Sequence, residues 1–366
     1  MVEIEPCEIQ HRLSGHSGHN EVARDVRSEL RVSAAILAQS EEHSIIRETP
    51  PLEPRAFGHV ASADASHPGY PAQVTRRIAH ISDLHFGRID PVVVEGLAHS
   101  LQAAKPDLIV ASGDFTQRAR HSEFAAARAF LDGMPAPVFA VPGNHDLPAY
   151  DLIERAWDPY RRYRRYISAD LEPVWCDEEV GIVGIKSSRR LPLATTWAIG
   201  HVSRRQLQRA LARLDAMPDR LVRIVVVHHP LLLPEAPAQP LARHAFTGGA
   251  ARALAALAGH KVQLVLSGHL HLSYSRRHMP ASEGVPAVTL PDAESAHIRA
   301  AQPGPTSGPL IVHAASATST RLRNEPNAYN LITIAAGQIE VEVHAWDGRQ
   351  LFAAVRPLAK DAVSPA

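Results

Sequence analysis

Five times between Arg76 and His271 a short, mostly apolar run ends abruptly in a polar cluster. Residues 78–81 lead into Ser82-Asp83-Leu84-His85, 108–111 into Ser112-Gly113-Asp114, and 138–141 into Pro142-Gly143-Asn144-His145-Asp146. Residues 224–227 lead into His228-His229-Pro230, and 262–266 into Ser267-Gly268-His269-Leu270-His271. Runs this short, rich in β-branched residues, suit strands buried on both faces. Residues 92–104, 122–131, 203–214 and 249–258 between them carry helical patterning, and Ser203 with Gln206 forms a capping-box signature. The alternation predicts an α/β sheet covered by helices. In such sheets ligands gather beyond the carboxyl ends of the strands, where all five polar clusters fall.

The flanks read differently. Residues 1–75 are rich in His, Ser, Glu, Arg and Pro, and are expected to form a largely disordered extension. One short helix is expected at 21–39, through Val22, Val26, Leu30, Ala34 and Leu37. Residues 76–357 form the expected folded domain, and 358–366 a flexible tail. Its last third is strand-like at 287–290, 309–315, 329–335, 338–346 and 351–355. Ala336-Gly337 marks a hairpin, and 291–308 reads as a surface loop.

Composition closes off several functions. Lys+Arg and Asp+Glu are 38 each, so no global charge favours specific nucleic-acid binding. Cys7 and Cys176 are too few for a disulfide framework or a four-thiolate zinc site. No apolar run is long enough for a transmembrane segment, and the acidic start Met1-Val2-Glu3-Ile4-Glu5 is no signal peptide. A cytoplasmic protein is expected; a homodimer is left open.

The clusters carry Asp83, His85, Asp114, Asn144, His228, His269 and His271, which are oxygen donors mixed with imidazoles and no thiolate. That set suits Mn²⁺, Fe or Zn²⁺. Seven donors exceed one tetrahedral site but fit two divalent ions if a carboxylate is shared, and Asp114 is the natural bridge, with one oxygen for each ion. Residues i and i+2 at a strand end point the same way, which makes Asp83 with His85, and His269 with His271, paired claws. Gly113, Gly143 and Gly268 each precede a ligand and allow a sharp turn. Two dications offset only by Asp83 and Asp114 would attract a phosphate anion and acidify a bridging water.

Taken together, Asp83-Leu84-His85, Gly113-Asp114, Gly143-Asn144-His145-Asp146, His228 and Gly268-His269-Leu270-His271 closely resemble the calcineurin-like metallophosphoesterase superfamily. Its blocks run D-x-H, GD, GNH[DE], H and GHxH, and all five occur here in order. The resemblance implies a four-layer α/β/β/α sandwich of two mixed sheets flanked by helices. It assigns Asp83, His85, Asp114 and His271 to one metal, and Asp114, Asn144, His228 and His269 to the other. His145 takes the place of the family's catalytic histidine, which stabilises the transferring phosphoryl group and protonates the leaving oxygen. The implied reaction is hydrolysis by a hydroxide held between the ions.

Residues 81–87, Gly113-Asp114-Phe115-Thr116 and His228-His229-Pro230 resemble the bacterial class III cyclic-nucleotide phosphodiesterase branch. A small phosphodiester, best a 3',5'-cyclic nucleotide, is the implied substrate. The alternatives are a UDP-sugar-lipid pyrophosphohydrolase, a phosphoprotein phosphatase and, outside catalysis, a metal-free interaction module on the same fold. His145 opposes the first, because that branch typically has arginine there; the complete ligand set opposes the last.

Some residues carry two readings. Asp146 either orients His145 or caps a helix starting at Leu147. His229 contacts substrate or packs beside Pro230, and His80 faces the core. Residues 160–166, Tyr-Arg-Arg-Tyr-Arg-Arg-Tyr, form either a lid or anionic-lipid patch, in which Arg161 meets phosphate, or a helix seating its tyrosines with its arginines in water. The second reading is favoured. Trp197 and Gly200-His201 line the pocket or form a loop.

Overall fold

Side-chain alternation along each strand sorts the chain into layers. The computed structural model describes residues 75–190, 198–235, 247–279, 308–323, 325–335 and 338–362. The first sheet runs β12-β11-β10-β1-β2-β3 and the second β4-β5-β6-β7-β9-β8. The strands of the first are β1 (Arg76–Ile81), β2 (Leu108–Ala111), β3 (Val138–Ala140), β10 (Ala328–Ala335), β11 (Gln338–Trp346) and β12 (Phe352–Ala362). Those of the second are β4 (Val174–Cys176), β5 (Val180–Ile185), β6 (Val222–Val227), β7 (Leu264–Ser267), β8 (Tyr274–Arg277) and β9 (Leu310–His313). Each sheet is mixed: β1, β2 and β3 are parallel, as are β5, β6, β7 and β9, while β10–β12, β4 and β8 run antiparallel to their neighbours.

Three apolar cores separate four layers. In β1, Ala79 and Ile81 face helices α1 (Pro91–Ala104) and α2 (His121–Asp132), joining Val93, Leu97, Leu101, Phe124 and Phe130. Ile78, one residue off, faces the other sheet and packs with Val110, Ile224, Val226, Leu264 and Ile332. In β6, Val225 and Val227 turn outward onto α5 (Arg204–Asp215) and α6 (Ala250–Gly259) through Leu207, Leu214, Leu254 and Leu257. The period of two thus gives each central strand two buried faces, and the result is the α/β/β/α sandwich expected from the resemblance.

Local chemistry sets the helix boundaries. Asp90 caps α1 by accepting from Val92 N at 2.9 Å, and Pro91 takes the first turn, where its missing N–H costs nothing. Ser203 and Gln206 form the predicted capping box on α5, each side chain bonding the other's backbone N–H. Two short helices, α3 (Leu152–Trp157) and α4 (Arg161–Tyr166), follow β3.

Several expectations need adjustment. β4, β5 and β8 were not read from the sequence. The Gly181 and Gly184 that interrupt β5 leave room for Met217 Sδ and for Pro173 with Val141. No helix starts at Leu147; the first turn of α3 begins at Leu152 under Asp151, which accepts from Glu154 N at 2.9 Å. Strand β12 continues past residue 357, where a tail was expected, and pairs with β11 to Ala362. The expectations for the extension over 1–75 with its helix at 21–39, up to residue 74, for 287–290, for the loop 291–308 up to residue 307, for Trp197 and for the Ala336-Gly337 turn lie outside the described residues. Among the described residues no helix is long and apolar enough to cross a membrane.

Candidate metal centre

The loops leaving β1, β2, β3, β6 and β7 meet at one end of the sandwich. Both halves of the constellation converge there, Asp83, His85, Asp114 and Asn144 from the first sheet and His228, His269 and His271 from the second. His85 Nε2 lies 3.1 Å from His271 Nε2, and His271 Nε2 lies 3.2 Å from Asp83 Oδ1. On the other side, His228 Nε2 lies 3.2 Å from Asn144 Oδ1 and 3.3 Å from Asp114 Oδ2. Asp114 Oδ2 also faces His85 Nε2 at 3.8 Å. With ligand bonds of roughly 2.1 Å, neighbouring donor atoms around one cation lie about 3–3.4 Å apart, the spacing seen here.

The unused atoms are pinned elsewhere. His228 Nδ1 donates to Ser112 O at 2.7 Å, and His271 Nδ1 to Arg321 O at 2.8 Å, so each Nε2 turns its lone pair inward. Asp83 Oδ2 accepts from Ser82 Oγ at 2.7 Å and His269 N at 2.8 Å, while its buried Oδ1 has no hydrogen-bond partner. Asp114 Oδ1 accepts from His145 N at 2.8 Å. Only Oδ2 of Asp114 therefore faces the histidines on both sides, rather than one oxygen serving each half.

Backbone strain accompanies this convergence. Asp83, His85, Asp114, His269 and His271 have φ of 53°, 52°, 56°, 81° and 56°. Non-glycine residues rarely occupy this left-handed region. The paired claws thus arise not from strand pleating, since β1 ends at Ile81 and β7 at Ser267, but from left-handed kinks at Asp83, His85, His269 and His271 themselves. Gly113 does carry positive φ, at 101°. Gly268 serves instead by lacking a side chain, because a Cβ there would fall on Ser82 Oγ and Asp83 Oδ2.

Electrostatics favour deprotonated acids beside neutral imidazoles at His85 and His269, with His228 as the exception. Burial alone would raise the Asp83 carboxyl, but His271, His85 and His228 outweigh it and hold it well below the usual range. Asp114 behaves alike through His228 and His145. Burial lowers His85 to about 4 and His269 to about 3, while Asp114 and Asp83 overcome burial at His228 and raise it to about 9. A buried cluster of this kind, with an orphaned carboxylate oxygen and inward imidazole nitrogens, fits divalent cations.

Around this cluster the structure places the remaining candidates. His145 is partly exposed, its Nδ1 donates to Gln117 O at 2.8 Å, and its ring meets His85 edge-on at 4.8 Å. Asp146 does neither of the things expected of it. It is fully buried and accepts from Gly143 N, Asp114 N and Thr116 N, tying two ligand loops together. His229 is buried, with Nδ1 on Ser187 Oγ at 2.8 Å and an unpartnered Nε2, and its ring lies 4.5 Å from that of His269. It thus faces the cluster, and with His228 and His269 forms a further group able to hold an ion. Arg161 is exposed on α4. Tyr160 and Tyr163 are buried, as the packed-helix reading of 160–166 expects. His80 is buried and bonds Ser112 Oγ at 3.0 Å.

One residue went unread. Arg321 Nη1 reaches 3.5 Å from His145 Nε2, while the same residue's carbonyl holds His271. Its signal was a sixth instance of the opening pattern: β9 ends in a polar cluster, Ser316 to Arg323. In that cluster Ser316 Oγ and Thr318 Oγ1 donate to the carbonyls of Asp83 and Leu84 at 2.7 and 2.6 Å, clamping the first ligand loop.

Known proteins resemble this chain over part of its length. A probable glycerophosphodiester phosphodiesterase of Arcobacter nitrofigilis is 26% identical over 128 residues, 34% of this chain and 42% of that one. A UDP-2,3-diacylglucosamine pyrophosphatase of Chlamydia muridarum is 35% identical over 77 residues, 20% of this chain and 23% of that one. The chain therefore aligns with less than half the length of either curated relative. A purple acid phosphatase from yellow lupin (Lupinus luteus) seeds shares the fold, with a TM-score of 0.51 at 12% identity over 78% of this chain and 54% of that one. Residues 76–273, from the first strand through the last ligand loop, match the Calcineurin-like phosphoesterase family, and the chain belongs to it.

Proposed function

We propose that the protein is a metal-dependent phosphodiesterase. The observation that supports this reading best is the gathering of seven donors from both sheets, with Asp114 Oδ2 facing His85 on one side and His228 on the other and with His145 and Arg321 beside them. On this reading Asp83, His85, Asp114 and His271 hold one divalent cation, and Asp114, Asn144, His228 and His269 the other; Mn²⁺, Fe and Zn²⁺ all suit the donors. Bound there, the cations would supply an ionised water and neutralise charge on the phosphoryl oxygens.

The chain's own groups do the rest. With Nδ1–H fixed on Gln117 O, His145 presents Nε2 to the site, where its protonated form gives a proton to the departing ester oxygen. Arg321 beside that nitrogen offers N–H donors to a phosphoryl oxygen as charge builds. The substrate reading is a small phosphodiester. The cyclic nucleotide suggested by the motif details stands beside the glycerophosphodiester named for the Arcobacter relative.

Asn144→Ala and Asp114→Ala should each abolish Mn²⁺-dependent hydrolysis of bis(p-nitrophenyl) phosphate while circular dichroism stays native. Full activity in either variant overturns the site. A panel of 3',5'-cyclic nucleotides, glycerophosphodiesters and UDP-diacylglucosamine then ranks substrates by kcat/KM.

A further inference from the structure

Helix α3, just beyond His145, is built inside out. Its charged Arg155 is buried, 5% exposed, and donates to Pro148 O at 3.0 Å, Arg190 O at 3.1 Å and Arg189 O at 3.4 Å. Its apolar residues stand in water: Leu152 is 71% exposed, Ile153 84% and Trp157 87%, with Tyr150 just before them at 76%. Ile153 and Trp157, four apart, share one face. A helix on a water-facing surface normally shows the opposite polarity. The inversion is locked, because turning the helix over would strip Arg155 of three carbonyl partners in a buried setting.

Charge surrounds this apolar face. Residues 150–166 carry five arginines against three acids. The acids are engaged, Asp151 and Glu154 by Arg162 and Asp158 by Arg164. Arg118, exposed, places its guanidinium 5.9 Å over the Tyr150 ring, and Arg161 and Arg190 are exposed beside the helix. The face also borders the candidate site. Arg118 follows Gln117, whose carbonyl holds His145, and Arg155 ties α3 to Pro148 three residues past that histidine.

We propose that Tyr150, Leu152, Ile153 and Trp157, ringed by these arginines, dock the protein on a lipid bilayer bearing anionic headgroups. Tryptophan and tyrosine rings settle at headgroup depth, Leu and Ile reach the acyl boundary, and arginines meet lipid phosphates. Three side chains of one short helix and the tyrosine before it, with a guanidinium over that tyrosine and exposed arginines around them, are what shallow insertion at an anionic surface needs. The docking face stands independently of the phosphodiesterase reading. Where that reading holds, the face brings the site to phosphodiesters carried by lipids.

The full chain tests this by co-sedimentation with vesicles of phosphatidylcholine alone, or with part of it replaced by phosphatidylglycerol. The protein should bind the anionic vesicles, bind neutral ones more weakly, and be released by salt. Ile153→Ser with Trp157→Ala should lower the partition coefficient roughly tenfold or more, from the lost apolar burial, and leave hydrolysis of soluble bis(p-nitrophenyl) phosphate unchanged. Three results overturn the proposal: no binding by the unsubstituted chain, equal binding by the double variant, or self-association that the double substitution abolishes, which would mark a second copy as the occupant. Failure of the phosphodiesterase reading shows separately, as absent turnover of the soluble diester whatever the vesicles do.

Discussion

Left-handed backbone at Asp83, His85, Asp114, His269 and His271 costs on the order of 1–2 kcal/mol at each position, so the surrounding contacts must hold it in place. Ser316, Thr318 and Asp146 do so through bonds to the ligand loops. The candidate donors were legible because donor types and spacing are written in the sequence, and the fold brings them together. The geometry that aims them was not, since neither the left-handed kinks nor the carbonyls of Ser112, Gln117 and Arg321 leave a residue-type signature. Arg321 shows what this hides, and it gives a sharp test. Its carbonyl secures His271 whatever side chain it carries, so Arg321→Ala should leave bound metal unchanged while lowering kcat/KM for a phosphodiester by roughly 10²-fold. Arg321→Lys should recover part of that loss by restoring a cationic donor. Metal analysis alongside steady-state kinetics checks both, and unchanged kinetics in the alanine variant would remove Arg321 from the reaction.

Among the elements, the strands read correctly had either an unbroken apolar run or a clean alternation: β2 was expected at 108–111 and is Leu108–Ala111, and β11 at 338–346 and is Gln338–Trp346. β5 was lost because Gly181 and Gly184, chosen for close packing, thin out its apolar pattern, and β8 because Tyr-Ser-Arg-Arg is an edge strand with half-buried polar residues. β1 carries a subtler feature. His80 shares the inner face with Ile78, bonding Ser112 Oγ through Nε2 while Asn330 Nδ2 approaches its Nδ1 at 3.4 Å, an arrangement that suits only the neutral ring. Burial, followed by His313, lowers its pKa to about 3. As pH falls below 6.5 the unfolded chain takes up a proton that the folded one refuses until about pH 3, so this contribution to stability is complete above 6.5 and drains away through that window. Between pH 6.5 and 5 the loss comes to about 2 kcal/mol. His80→Gln should therefore lose less stability on acidification than the unsubstituted protein by about that amount, read from urea midpoints at pH 7.5 and 5. Parallel losses in both proteins would mean that His80 is protonated in the fold.

At the scale of the molecule, the candidate centre sits on the seam of the sandwich. The first sheet contributes Asp83, His85, Asp114 and Asn144, and the second His228, His269 and His271, so neither sheet alone completes either half. Cations held there would cross-link the two sheets at their carboxyl ends, and metal binding and stability would be linked. Ligand that binds only the folded state stabilises it by about 2.7 kcal/mol at a hundred times its Kd. Chelation followed by Mn²⁺ addition should thus raise Tm by several degrees, increasing with metal concentration, together with the return of phosphodiester hydrolysis. Asp114→Asn tests the bridge itself. The amide keeps an oxygen but loses the charge that both flanking histidines face, so this variant should show a much smaller Mn²⁺-induced shift while its metal-free Tm changes little or rises, because His228 loses the carboxylate that raises its pKa and returns toward the neutral form that burial favours. A full Mn²⁺ shift in Asp114→Asn would show that metal binding stabilises the fold without the shared carboxylate, and the cross-link between the sheets would then run through His271 on one side and Asn144 on the other rather than through the bridge.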